Sequence, residues 1–322
     1  DCLLSRGLGD VYKRQVYVLA GALAAAATSY PVLALARVIM GVSSAACIGL
    51  CMTLCAAMVS HQERGRAVSV VLAGLMLSPV AGVPMTAWIE HHYGWRASSW
   101  AVVGLALVCT LLAAMRLPKG EAGGQTRLAE QIRTLRTRRL WGAYLTSGLI
   151  ICATFAAFSY CTPILIEEVG LAPGQVAPML ALYGVANLIG NMLVGRVADS
   201  HTISVVGLGL AMMVLVMSVF ALAGDNLWLN LSCFIAIGLT GVALNPAMVA
   251  RVMKAAEPGA LVNTLHTSVI TAGLAFGSWA GGAAIEAGYG LRAPLWVGAA
   301  IALLGLLSVL RPLASRHTAT TP

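Results

Sequence analysis

Charge is what this sequence has least of. Asp, Glu, Lys and Arg together make up 10% of its 322 residues, against roughly 25% in an ordinary soluble domain. So few charges cannot cover a water-facing surface, which excludes a soluble enzyme or binding module and leaves lipid as the expected solvent. Carboxylates are scarcer still, 12 in all, and the long apolar runs hold none except at their ends. Metal-ligand spacing is missing too. No CxxC occurs among the 8 cysteines. Cys47, Cys51 and Cys55, at spacing four, read as a stripe of small packing residues, His91-His92 as an interfacial loop pair, and the methionines from Met212 to Met217 as lipid-facing filler. No nucleophile sits with a base, and no histidines cluster with carboxylates at one depth, so no covalent chemistry, metal or cofactor is expected.

What the chain does have is long greasy segments. Hydrophobic residues reach 59% and glycines number 34, a composition that lets helices approach closely within a bilayer. A run of about 20 apolar residues spans the roughly 30 Å hydrocarbon core. About ten such runs are read, at 16–29, 31–58, 65–89, 96–116, 140–165, 174–195, 202–223, 227–250, 259–285 and 291–311. They are too long and too uniformly apolar for barrel strands, so an all-α membrane bundle is expected. Asp1–Gln15 is polar and without helical periodicity, and is set aside as a non-native tail.

Basic residues orient the bundle. Alternate connections carry Arg64 and Arg66; Arg116 through Arg139; Arg196; Arg251 and Lys254; and Arg311 and Arg316. The opposite ones hold Arg96 and Arg292 beside Glu90, Glu167, Glu168, Asp225 and Glu286. The basic loops are expected in the cytoplasm, as is the tail 313–322. The formal net charge of +8 is then a topology signal and a contact for anionic lipid, with no nucleic acid implied. The longest basic connection, 118–139, reads as a cytoplasmic linker between an N-terminal half, 16–117, and a C-terminal half, 140–312. Its Leu128, Ile132 and Leu135 suit a helix lying on the inner leaflet or a solvated linker helix.

The halves repeat. Glu90–Trp100 and Glu286–Trp296 agree at six of eleven positions at a constant offset of 196 residues. An offset spanning an even number of helices gives two repeats of one orientation, the parallel-repeat arrangement of a large transporter class. Projected back from the run at 140, the first repeat is expected to begin roughly 55 residues ahead of this chain, room for two helices.

Three motifs carry a family resemblance over 16–311. Arg37-Val-Ile-Met-Gly41 is similar to an RxxxG element. Gly74-Leu-Met-Leu-Ser78-Pro79-Val-Ala-Gly82-Val83-Pro84 resembles an antiporter signature, GxxxGPxxGG, with Ser78 and Val83 in place of two glycines. Gly195-Arg-Val-Ala-Asp199-Ser200 resembles a GxxxD(R/K) loop, with Ser200 where a basic residue is usual. Together they resemble the major facilitator superfamily, in its twelve-helix drug:proton antiporter branch of arabinose-efflux-like and chloramphenicol-efflux-like permeases. The resemblance implies two parallel six-helix repeats, of which helices three to twelve are visible here.

It also implies roles. Arg37 takes part in proton coupling; a guanidinium inside a span is costly and faces a cavity or partner, or snorkels to the interface. Gly74, Ser78, Pro79, Gly82 and Pro84 form the interface that controls closure, and Gly195 and Asp199 belong to a cytoplasmic loop that breaks and remakes contacts. On the residues themselves, Tyr183, Asn187 and Asn191 share one helix face, and Asn245, Asn263 and His266 are further polar groups inside apolar runs. Buried amides and an imidazole need partners, which a central wet cavity or neighbouring helices supply. The expected protein is a monomeric, multi-pass carrier of a bacterial inner membrane. It exports a small organic compound (drug, sugar or metabolite) by proton antiport through alternating access. Metabolite uptake or facilitated diffusion is the alternative of the same class, and a non-transporting sensor or scaffold the alternative from another.

Overall fold

The computed structural model describes residues 15–57, 74, 77–116, 137–256 and 260–317. Residues 1–14, the pair Arg64 and Arg66, most of the linker, and 318–322 lie outside them. Among the described residues every element is a helix. The chain divides into two units, Asp1–Gln125 and Thr126–Pro322.

Unit 1 contains α1 (Gln15–Ala26), α2 (Tyr30–Ala57) and α3 (Val83–Arg116), with a π-helical turn at Ser78–Gly82 leading into α3. Its buried positions are small: Ala20, Ala24, Ala25, Ala27 and Ala36, with Val103. A methyl group added to Gly21 would stand 2.8 Å from a Val103 methyl and 3.6 Å from the end of Met40, so α1 lies close on both α2 and α3. Gly94 breaks α3 with φ 84 and ψ 163. That left-handed conformation is open to glycine and strained for other residues, and it separates the two apolar runs read on either side.

Unit 2 contains α4 (Arg138–Phe158), α5 (Pro173–Leu222), α6 (Leu227–Thr240), α7 (Asn245–Ala255), α8 (Ala260–Ala284) and α9 (Ala293–His317). Its first helix takes in Arg138 and Arg139, which the sequence reading gives to the linker. A straight α5 of 50 residues would measure about 75 Å at 1.5 Å per residue, more than two bilayer cores. It is instead broken at His201 (φ −126, ψ 39), again between two runs read separately. The run at 227–250 departs from expectation: it splits into α6 and α7 through a 3₁₀ turn at Val242–Leu244. Pro246 has no N–H to return to the preceding turn, so the α-ladder cannot continue through it. Among the described residues of the two units together, six helical segments, the broken ones included, are long and apolar enough to cross a membrane.

Two small-residue seams hold unit 2. On α8, Gly273, Gly277 and Gly281 meet Gly148, Cys152 and Ala156 of α4, each pair at one constant offset, so the two helices run parallel. A methyl on Gly273 would stand 2.5 Å from the Gly148 carbonyl oxygen, and one on Gly277 would overlap that of Cys152. Tyrosines in and just after α4 pin both ends: Tyr144 donates to the Val262 carbonyl at 2.7 Å and Tyr160 to that of Ser278 at 2.8 Å. The second seam joins α5 to α6, where Gly190 faces the Leu239 carbonyl and Gly238 that of Tyr183. The methionines at 212–217 read as lipid-facing from sequence; Met212 is exposed, and the structure corrects that reading for the other two. Met213 and Met217 are fully buried, because Gly298 of α9 leaves a notch that the Met217 thioether fills.

Candidate functional site

The motif residues of unit 1 occupy two places. Arg37 lies in the second turn of α2, exposed within its unit and next to the fully buried Ala36. The antiporter-like stretch coincides with the π-turn. Pro84 has no N–H to give to the carbonyl four residues back, and the Val83 N–H bonds one residue further back, to Ser78. One widened turn results, a form that recurs at functional sites. Gly74 and Ser78 are exposed within the unit, while Gly82 and Pro84 are half-buried; a methyl on Gly82 would stand 3.4 Å from the Ser78 hydroxyl. Pro79 lies within the same turn.

In unit 2 the Gly195–Asp199 motif ends at the break in α5. Gly195 faces Pro246 of α7, with 3.9 Å to spare for a methyl. The Asp199 side chain is exposed, and it is the Asp199 backbone carbonyl that is tied: Lys254, in the last turn of α7, donates to it and to the Thr202 hydroxyl at 2.8 Å. Thr202 in turn donates to the Ala198 carbonyl. Neither a side-chain cap nor an ion pair of Asp199 is found among the described residues.

The polar candidates separate into groups. Tyr183 and Asn187 do share a face, and it is buried against α6. Tyr183 stacks between Phe158 and Phe234, at ring separations of 4.7 and 5.2 Å. Asn187 is 3% exposed, and its amide nitrogen has no hydrogen-bond partner. Asn191 and Asn245 are half-buried. On α8 the neighbours Asn263 and His266 part company. Asn263 is exposed, with Thr264, Thr267, Ser268 and Thr271 continuing a polar edge along the helix. His266 turns inward and lies flat on Tyr144, 5.8 Å between ring centres and 15° from parallel.

Several residues that tie the helices together carry no mark in the sequence. Tyr144 is apolar in pattern and polar in use. Lys254 reads as a topology marker. Arg292 donates to Glu168 at 3.1 Å and to the carbonyls of Phe220 and Gly224 at 3.2 and 2.7 Å, closing the end of unit 2 that carries the repeated turn. Only the Gly273-x₃-Gly277-x₃-Gly281 spacing offers a signal that sequence inspection alone could have found. No group of histidines, cysteines and carboxylates that could hold a metal ion occurs among the described residues; His92 instead lies against Trp88, with a ring nitrogen 2.8 Å from the Trp88 carbonyl.

Comparison with known proteins follows the same lines. A family model described as the Major Facilitator Superfamily matches residues 4–262. The inner membrane transport protein YdhP of Escherichia coli K12 is 31% identical over 301 residues, covering 93% of this chain and 77% of its own length. A chloramphenicol resistance protein of Streptomyces lividans is 28% identical over 296 residues, 90% of this chain and 76% of its own. Among solved structures, the transporter FucP in an outward conformation superposes with a TM-score of 0.55 at 16% identity, over 94% of this chain and 82% of that one. At that identity the likeness concerns the fold.

Proposed function

The chain belongs to the Major Facilitator Superfamily, a family of membrane transporters, and on that premise we propose that it exports a small organic compound in exchange for protons by alternating access. One observation carries the reading. The stretch Gly74–Pro84, which resembles an antiporter signature, is also where unit 1 abandons α-helical geometry for a π-turn. A widened turn with paired prolines, flanked by small exposed side chains, is a surface another helix can approach and leave. The named activity of the chloramphenicol resistance relative, matched over 90% of this chain, supports efflux and a small organic cargo.

In this reading the halves 16–117 and 140–312 rock against each other, joined by the cytoplasmic linker 118–139. The basic loops and the C-terminus face the cytoplasm, the bacterial inner membrane holds the protein as a monomer, and no cofactor or covalent step is needed. Gly74, Ser78, Pro79, Gly82 and Pro84 control closure, and the Gly195–Asp199 loop opens and closes on the opposite side. Tyr183, Asn187, Asn191, Asn245, Asn263 and His266 supply polar lining. Arg37 sets the protonation of the coupling site through its permanent charge.

The test is dissipation of a proton gradient in everted vesicles carrying the protein, across a panel of compounds that includes chloramphenicol. At least one compound is expected to release protons from the acidified lumen, and Arg37→Ala to slow that release about tenfold. Compound flux without proton movement favours a facilitative carrier, flux in the opposite sense favours uptake, and no flux favours a sensor or scaffold. Unchanged proton-coupled flux in Arg37→Ala removes Arg37 from the mechanism.

A further inference from the structure

We propose that His266 is a side chain that takes up and releases the coupling proton; the proposal rests on the antiport reading above. It begins from position. All 12 carboxylates lie in the polar tail, the linker, or at breaks between apolar runs, as do His61, His91, His92 and His201, with His317 near the chain end. His266 alone lies within an apolar run, six residues past the start of α8, about 9 Å along its axis. Imidazole is also the side chain whose ordinary titration falls between about pH 5 and 8. Its unloaded form is neutral and so avoids the cost of a fixed charge in the membrane.

The surroundings fit a carrier better than a packing residue. The ring is 5% exposed, and its Nε2 has no hydrogen-bond partner. Tyr144, on which it stacks, does not compete for that nitrogen, because the phenol hydroxyl is committed to the Val262 carbonyl. Burying an unmet polar atom is costly, and an apolar ring would fill the same space without that cost. Once protonated, the imidazolium already lies against an aromatic face that favours cations.

The charged and titratable groups of the neighbouring elements are these. From α4 come Tyr144 and the exposed Arg138 and Arg139 of its first turn. From α7 come Arg251, whose Nη1 is buried without a partner, and Lys254, turned away to Asp199 and Thr202. No described side chain of α9 is charged or titratable. No carboxylate faces the ring among the described residues, and a carrier must be able to let go of its proton. On the same helix the exposed Asn263 and Thr267 flank the ring and give water a polar edge along which to reach it. The step is a proton transfer: Nε2 accepts a proton from water on one side of the membrane, and after reorientation the imidazolium returns it to water on the other. No other bond changes.

Purified protein in liposomes separates the possibilities. His266→Asn is expected to lower proton-driven accumulation at least about tenfold. Substrate exchange without a gradient should fall several-fold less than driven accumulation, because the ring's place in the polar lining affects both and its proton only the second. His266→Glu, titratable again, is expected to restore part of the driven transport with a shifted pH profile. Wild-type driven transport and an unchanged pH profile in His266→Asn overturn the proposal. So does loss of exchange in His266→Asn with no recovery in His266→Glu, which marks the ring as a binding or packing group. A wild type with exchange but no response to a proton gradient overturns the antiport reading itself, whatever the variants do.

Discussion

Each unit carries a stripe of small residues at helical spacing, yet the two stripes present different surfaces. In unit 1, no described atom comes within 4 Å of a methyl placed on Gly74, and one on Gly82 meets only Ser78 of its own turn. In unit 2, Gly273, Gly277 and Gly281 lie against α4 backbone. The difference comes from the facing helix. Gly148, Cys152 and Ala156 repeat the same spacing on α4, so two smooth faces meet and the backbones close up. A small-residue stripe is thus half of a contact, and it closes when a partner brings the other half. The largest expected effect tests this. Gly277→Ala forces α8 off α4 and should cost about 3 kcal/mol, whereas Gly74→Ala should stay within about 0.5 kcal/mol of wild type. Thermal unfolding in detergent measures both, and equal shifts would dissolve the distinction.

The repeated turn offers a second comparison, of likeness rather than contrast. Gly94 and Gly290 share φ 84, with ψ 163 and 171. Two residues on, Arg96 donates to the Ala27 carbonyl at 3.1 Å and Arg292 to those of Phe220 and Gly224. Position 27 corresponds to 223 at the repeat offset, so each arginine binds the same feature: the end of the equivalent helix, where carbonyls lack partners and the dipole is negative. The repeat read from eleven residues is therefore a repeated interaction. In the second copy Arg292 also pairs with a carboxylate, Glu168. Arg292→Ala should cost about 2 kcal/mol, and the more exposed Arg96→Ala, with one such bond, about 1 kcal/mol. Equal losses would mean that the glycine turn, and not the arginine, closes each unit.

What sequence alone conveyed follows from the same physics. The apolar runs were legible because length against bilayer thickness is a one-dimensional property. The breaks at Gly94 and His201 were legible because polar or glycine-containing breaks interrupt the runs. Which face of each helix turns inward was not. Helices apolar all round carry no amphipathic signal to set their rotation, so Met213 and Met217 looked lipid-facing and are buried. For the same reason Asn263 and His266, three residues apart, read alike as polar groups inside an apolar run, and the structure puts one outside and one inside. Tyr183, Asn187 and Asn191 fall on one face by spacing alone, and the first two are buried; that this face meets α6 depends on a partner about 50 residues away, as Tyr144 depends on Val262, 118 away.

The smallest effect bears on the loop at the break in α5, where motif and geometry name different atoms. The motif draws attention to the Asp199 carboxylate; the structure ties down the Asp199 carbonyl, through Lys254. The break at His201 interrupts the α-ladder, and an ammonium group can satisfy a carbonyl left over there. Position 254 corresponds, at the repeat offset, to Met58, so Lys254→Met gives unit 2 the residue that unit 1 already has. It should cost about 1 kcal/mol, because the lysine is exposed and water replaces part of what it provides. Asp199→Asn keeps the carbonyl and should cost less than about 0.5 kcal/mol. If the order is reversed, the carboxylate is the true tie, and unit 2 depends on a side-chain pairing that its geometry does not contain.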